Sequence, residues 1–139
     1  MQRLGLILLT AAVAMAQAPE YQPVGNMSQL MVNIIYPASD AIFYVDRNPP
    51  SNDVGWNQLA NQALILAESG NLLLMPGRAR DRANWTKDTK LMIDAGAMAF
   101  RAAKAKDIEG IRALNEALNT SCVTCHSHYR DNYRKAKPK

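Results

Sequence analysis

The chain has 139 residues, with 16 Lys and Arg against 12 Asp and Glu, for a formal net charge of +4. This length suits one domain and is too short for two well-packed ones. Apolar residues make up 48% and aromatic residues only 6%, which excludes a wholly disordered chain and favours helix over sheet. Two cysteines are too few for a disulfide scaffold.

The first segment resembles a secretory signal. A short basic start ending at Arg3 is followed by an uncharged run from Leu4 to Ala16. This run is shorter than the ~20 residues that a membrane-spanning helix needs. Because Ala14-Met15-Ala16 matches a small-x-small cleavage site, we predict a signal peptide over residues 1–16 and a single periplasmic domain over 17–139. The alternative is an N-terminal anchor that stays attached.

A first amphipathic helix is predicted from Met27 to Val45, where apolar residues recur at steps of three and four. Pro37 interrupts this pattern. Because proline lacks the N–H that would bond residue 33, we expect a kink there or the start of a new helix. The segment from Asn48 to Asn52 contains two prolines and ends the helix.

Three further helices follow in the sequence. Asp53 is a predicted N-cap, and Ser69-Gly70 is expected to end the second helix. The apolar run 72–77 is too short for a helix, so we expect a loop over the core or over a ligand. A third helix is predicted from about Asn84 to Lys106, and Asp107 caps a fourth that continues to Tyr129. Four amphipathic segments with short links predict an antiparallel four-helix bundle.

The segment from Cys122 to His126 carries the chemistry. Its C-x-x-C-H pattern is typical of covalent c-type haem attachment. Two intervening residues allow both thiols to reach the two vinyl groups on one edge of a porphyrin. His126 then lies beside the second thioether, where its imidazole is available to the iron.

Three other interpretations of the two cysteines remain open. A thioredoxin-type pair belongs near a strand-helix unit, whereas these cysteines lie deep in a predicted C-terminal helix. A zinc site formed by Cys122, Cys125, His126 and His128 would crowd four ligands into seven residues of one helix. A disulfide between the two cysteines would close a very small loop and stabilise little. Haem attachment is therefore the favoured prediction.

A C-x-x-C-H motif near the end of the last helix of a four-helix bundle resembles the class II c-type cytochromes, the cytochrome c prime superfamily. The resemblance covers about residues 25 to 135, and its specific part is the motif followed by Tyr129 and Arg130. It implies one covalent haem c held by Cys122 and Cys125, with His126 as the proximal iron ligand. It also implies that Arg130 packs near the proximal face, where it could reach a haem propionate. A solvated arginine at that position is the alternative.

The first helix supplies the candidates for the sixth iron ligand. In the family the first helix faces the other side of the haem, and some members place a methionine there. The pair Leu30-Met31 resembles the methionine-ligated, low-spin members, so Met31 is predicted as a metal ligand. Met27 and the absence of any protein ligand are the alternatives, since methionine on an apolar stripe is commonly core filler.

The remaining candidates are a second histidine, two tryptophans and a basic C-terminal tail. His128 is expected to be a surface histidine because it points away from His126 on a helix. Trp56 and Trp85 are candidates either for the core or for packing against haem. The basic tail formed by Arg130, Arg134, Lys135, Lys137 and Lys139 could steer an acidic redox partner, although a solvated terminus explains it equally simply.

These patterns predict an electron carrier and not an enzyme, because no catalytic acid, base or nucleophile is arranged for one. The alternative function is binding of nitric oxide or carbon monoxide at five-coordinate iron, with Leu30, Ile34 or Ile35 in place of Met31. The expected partner is an unidentified redox protein, and neither nucleic acid nor stable membrane insertion after signal removal is expected. The resemblance also allows a homodimer, since many members pair through their first helices.

Overall fold

The computed structural model describes residues 21–130, and this part of the chain is helical without any strand. Four helices pack together, as the all-helical prediction required. The predicted signal peptide over 1–16 and the basic tail after Arg130 lie outside the described residues. Those two interpretations therefore stay predictions.

The first helix is built from three consecutive segments. Helix α1 spans Met27–Leu30, a π-helical turn spans Met31–Ile35, and helix α2 spans Tyr36–Phe43. The N–H of Tyr36 bonds the carbonyl of Met31, five residues back. This wide turn ends at Ile35, two residues before Pro37, which has no N–H for the carbonyl of residue 33. The disturbance expected at Pro37 thus takes the form of a π turn, and the chain remains helical to Phe43.

Helix α3 spans Asp53–Leu73 and begins one residue earlier than the predicted cap implies. Asn52 is the N-cap, since its side-chain oxygen accepts from the N–H of Gly55 at 2.9 Å. The prediction of Asp53 as the cap was wrong. Asp53 lies in the first turn, where a carboxylate favours the positive end of the helix dipole, and its side chain pairs with Lys106 at 2.6 Å.

The predicted end of this helix at Ser69-Gly70 was also wrong. The helix continues to Leu73, so the first two residues of the expected loop 72–77 are helical. Gly70 is a contact point with the next helix, since a Cβ there would lie 2.2 Å from Cγ1 of Ile93. Leu73 is buried and extends the apolar stripe by one more turn, which explains why the helix does not stop at glycine.

Helix α4 spans Asn84–Lys104, close to the predicted range. It approaches α3 at Gly96, where an added Cβ would lie only 2.7 Å from the backbone nitrogen of Ala67. Glycine therefore sets the spacing between these two helices. Four of the five residues predicted to face inward are buried, while Ala102 is half-buried; the buried four are Trp85, Met92, Ala95 and Ala99.

The last helical region starts at the predicted cap but is divided in two. Oδ1 of Asp107 accepts from the N–H of Gly110 at 2.8 Å, which confirms the cap. Helix α5 then spans Ile108–Ala113 and helix α6 spans Asn115–Tyr129. The single continuous fourth helix was wrong at Leu114, whose N–H bonds the nearer carbonyl of Ile111 and forms a tight turn.

A shared core lies among the four helices. Its buried side chains include Leu30, Ile35, Ile42, Leu59, Leu66, Leu73, Trp85, Met92, Ile111 and Leu118. Among the helices between residues 21 and 130, none combines the length and apolar character that crossing a membrane requires.

Candidate functional site

A cavity of about 590 Å³ opens between the helices. Its size lies in the range of roughly 300–1,000 Å³ that small-molecule and cofactor sites occupy. Its walls are largely apolar and come from all four helices. The lining residues are Met31, Val32, Ile35, Tyr36, Ser39, Asp40, Phe43, Tyr44, Leu73, Asp88, Thr89, Met92, Ser121, Cys122, Cys125 and His126.

Helix α6 contributes the predicted haem-attachment residues to this cavity. Cys122, Cys125 and His126 are half-buried, and all three line it. They share one helix face because residues three and four apart are neighbours on a helix. Both cysteines are free thiols in the structure. The site therefore presents two separate sulfur atoms and an imidazole to the same space.

Burial controls the ionisation of the two thiols. Loss of solvation raises the pKa of Cys122, and it raises the pKa of Cys125 to about 11. The carboxylate of Asp88 raises the pKa of Cys125 further, because it repels a second negative charge. In the protein without haem, both side chains are thus protonated thiols at neutral pH.

The imidazole of His126 is held in its neutral form. Burial lowers its pKa, and the positive charge of Arg130 lowers it further. Neutral imidazole is the form that coordinates a metal ion. The electrostatics of this site therefore suit His126 as a ligand at neutral pH.

The first helix contributes the predicted sixth ligand. Met31, the first residue of the π turn, lines the cavity together with Ile35. Met27, Leu30 and Ile34 are not among the lining residues, although all three pack in or against the core. Among the candidates weighed from the sequence, Met31 and Ile35 are therefore those that the fold brings to the cavity with His126.

Helix α4 supplies polar side chains that the sequence analysis did not select. Asp88 and Thr89 line the cavity beside Met92, and each is at most 2% exposed. Among residues 21–130, the hydroxyl of Thr89 is buried without a hydrogen-bond partner. Since a buried hydroxyl of this kind costs about 1–3 kcal/mol, the cavity presents a polar atom that this part of the chain leaves unsatisfied. A bound cofactor with polar groups fits that chemistry.

The sequence did contain a signal for this polar pair. Trp85, Asp88, Thr89 and Met92 follow steps of three, one and three, so they lie on the same helical face. Trp85 and Met92 were already expected to point inward. A carboxylate and a hydroxyl on such a stripe indicate a buried polar site.

His128 has a buried partner, which the expectation of a simple surface histidine missed. Its Nδ1 lies 2.6 Å from Oδ2 of Asp88. The His128 side chain is 39% exposed and that of Asp88 only 2%. His128 does not line the cavity.

Three other residues that the sequence singled out lie outside the cavity wall. Arg130 is the exposed C-cap of α6, and its N–H bonds the carbonyl of His126 at 3.0 Å. Trp56 is half-buried against the core. Trp85 is buried, and its Nε1 donates to the carbonyl of Leu73 at 2.9 Å. Of the two options for the tryptophans, the structure places both in or against the core.

Within residues 21–130, no group of three or more His, Cys, Asp or Glu side chains is arranged to hold a metal ion. In comparisons with known proteins, no protein-family model, no curated protein and no solved structure matches the chain.

Proposed function

We propose that this chain is an exported, periplasmic mono-haem c-type cytochrome of antiparallel four-helix-bundle architecture that carries electrons. One observation supports it above the others. Cys122, Cys125, His126 and Met31 come from different ends of the described chain and line the same largely apolar cavity of about 590 Å³. The C-x-x-C-H spacing gives the cysteines their role in this proposal.

Four residues of the cavity would hold the haem. Cys122 and Cys125 are reduced thiols, which is the form that adds to a vinyl group without any oxidant. His126 and Met31 would be the two protein ligands of the iron. The bound haem supplies reversible one-electron exchange at its iron.

The surrounding protein favours electron transfer over catalysis. Ile35, Phe43, Leu73 and Met92 form apolar walls of the cavity, which would keep water away from a bound haem. A thioether ligand raises the reduction potential, as it does in His/Met cytochromes. No substrate has to enter the cavity for an electron to leave it.

A second candidate function is binding of nitric oxide or carbon monoxide at a five-coordinate iron. It is favoured by Ile35, which lies in the cavity wall one helical turn from Met31. If Ile35 faces the iron in place of Met31, the sixth position is open to a diatomic gas.

Expression with haem-attachment machinery tests the proposal. We expect the wild type to keep its haem after denaturation and acidic solvent extraction. Cys122→Ala and Cys125→Ala should each reduce attachment, and the double variant should abolish it. Ser127→Ala on the same helix serves as a control that leaves attachment intact. Haem that is extracted freely from the wild type would refute the proposal.

A further inference from the structure

A second cavity adjoins the one that contains the cysteines. It has a volume of about 650 Å³ and lies around the end of α2 and the loop before α3. Asp40 and Tyr44 line both cavities, so the two spaces share a boundary. The first cavity is largely apolar, whereas the second is lined by several amides, including Asn48, Gln58 and Gln62.

The two cavities differ in the charged side chains that line them. Apart from the histidine, the charged side chains that line the first cavity are Asp40 and Asp88, both carboxylates. The second cavity is lined by one basic residue from the described part of the chain, Arg47. Its guanidinium carbon lies 3.5 Å from the centre of the Tyr44 ring, which is part of the shared boundary.

Haem is an amphipathic ligand, with an apolar part that suits the first cavity and a charged edge that suits the second. Its macrocycle is apolar, and its two propionate carboxylates lie on the edge away from the two vinyl groups. Thioether bonds to Cys122 and Cys125 would hold the vinyl edge against α6. The propionate edge then faces away from α6, where carboxylates need a cation or hydrogen-bond donors.

We propose that Arg47, which lines the polar cavity beside Tyr44, binds a propionate of the haem. This inference rests on the proposed function and adds a cofactor-binding residue to it. The Arg47 side chain is exposed, and within residues 21–130 the ion pairs do not include it. By contrast, the guanidinium of Arg112 is already held by Asp46 and Glu109.

Arg130 was the residue expected from the sequence to reach a propionate. It is the C-cap of α6 and does not line either cavity. The contacts of their neighbours in the sequence place Arg130 and Arg47 at different ends of the helices. Tyr129, next to Arg130, bonds Asp81, whereas Asp46, next to Arg47, pairs with Arg112 near the start of the last helical region.

Four variants of the holoprotein test the inference: Arg47→Gln, Arg47→Lys, Arg130→Gln and, as a matched control, Arg101→Gln on the exposed face of α4. The resonance Raman bending vibration of the propionates reports their hydrogen bonding. The ferrous-to-ferric ratio at a fixed applied potential reports the charge near the haem.

Arg47→Gln should shift the propionate vibration. It should also lower the ferrous-to-ferric ratio about fivefold, because losing a cation near the haem favours the ferric state. Arg47→Lys should keep the ratio near that of the wild type, and Arg101→Gln should change neither signal.

The inference is overturned if Arg47→Gln matches Arg101→Gln in both measurements. It is equally overturned if Arg130→Gln moves the propionate vibration while Arg47→Gln does not. These outcomes are distinct from failure of the proposed function, which would appear as a wild-type protein without covalent haem.

Discussion

Nδ1 of His128 lies 2.6 Å from Oδ2 of Asp88, which joins α6 to the buried face of α4. The carboxylate of Asp88 is 2% exposed and lines the cavity that also contains Cys122, Cys125 and His126. His128 is two residues from His126, so this bond fixes α6 directly beside the proposed proximal ligand.

Removing this partner should destabilise the protein. His128→Ala leaves the Asp88 carboxylate buried without its imidazole, and we expect a loss of about 2 kcal/mol in the free energy of unfolding. Denaturant unfolding of the holoprotein measures this loss. Lys90→Ala breaks the exposed Lys90–Asp94 ion pair on α4 and should cost less than about 1 kcal/mol. Equal losses in the two variants would contradict this interpretation.

A second link between α4 and α6 should make stability depend on pH. Tyr129 donates to Asp81, whose other oxygen accepts from the N–H groups of Asn84 and Trp85. The Tyr129 hydroxyl, followed by these backbone groups, lowers the pKa of Asp81. A lowered folded-state pKa gives stability that is present above the unfolded-state value, about 4, and is lost as the pH falls through the folded value.

Tyr129→Phe should therefore be less stable than the wild type at neutral pH, and the difference should shrink in acid below about pH 4. Denaturant unfolding between pH 7 and pH 2 measures the difference. Tyr36→Phe removes an exposed hydroxyl elsewhere and should show no such trend. A Tyr129→Phe difference that stays constant down to pH 2 would contradict the role of Asp81.

The buried thiols should react slowly in the protein without haem. The thiolate is the reactive form, and burial raises the pKa of Cys125 from 9.0 to about 11. At pH 8 we expect alkylation of Cys125 to be on the order of 100-fold slower than in the urea-unfolded chain, with the rate rising as the pH approaches 11. Alkylation followed by mass spectrometry checks this. Equal rates in the folded and unfolded chains would show that the thiol is not shielded.

The close approach of α3 and α4 gives a prediction about two glycines. A Cβ at Gly96 would meet the backbone of Ala67, which cannot move without shifting a helix. A Cβ at Gly70 would meet the side chain of Ile93, which has other rotamers. Gly96→Ala should cost about 1–3 kcal/mol and Gly70→Ala less, by denaturant unfolding. The opposite order would contradict this description of the packing.

Much of the fold was predictable because periodicity and caps are local signals. The stripes of α3 and α4 and the Asp107 cap needed only neighbouring residues. The continuation of α3 through Gly70 was not predicted, since it depends on the burial of Leu73 against the other helices. The π turn at Met31 was predictable only as a disturbance near Pro37, because a kink and a π turn both relieve the missing N–H.

The candidate site was also predictable only in part. The C-x-x-C-H motif identified three lining residues directly, and the resemblance added Met31. Asp88 and Thr89 carried a recognisable signal, as polar residues on an apolar face. The pairing of Asp88 with His128 spans forty residues and was not readable from spacing, since it depends on how α4 and α6 pack.

The optical spectrum of the purified holoprotein, recorded in both oxidation states for the wild type and for Met31→Ala, tests the central claim most directly. Two-sided ligation by His126 and Met31 predicts low-spin bands in both states, with conversion to a high-spin form in Met31→Ala. Ile35→Ala, an apolar control in the same cavity wall, should remain low-spin. A wild type that is high-spin when reduced, and whose spectrum shifts on adding carbon monoxide, would contradict the electron-carrier account.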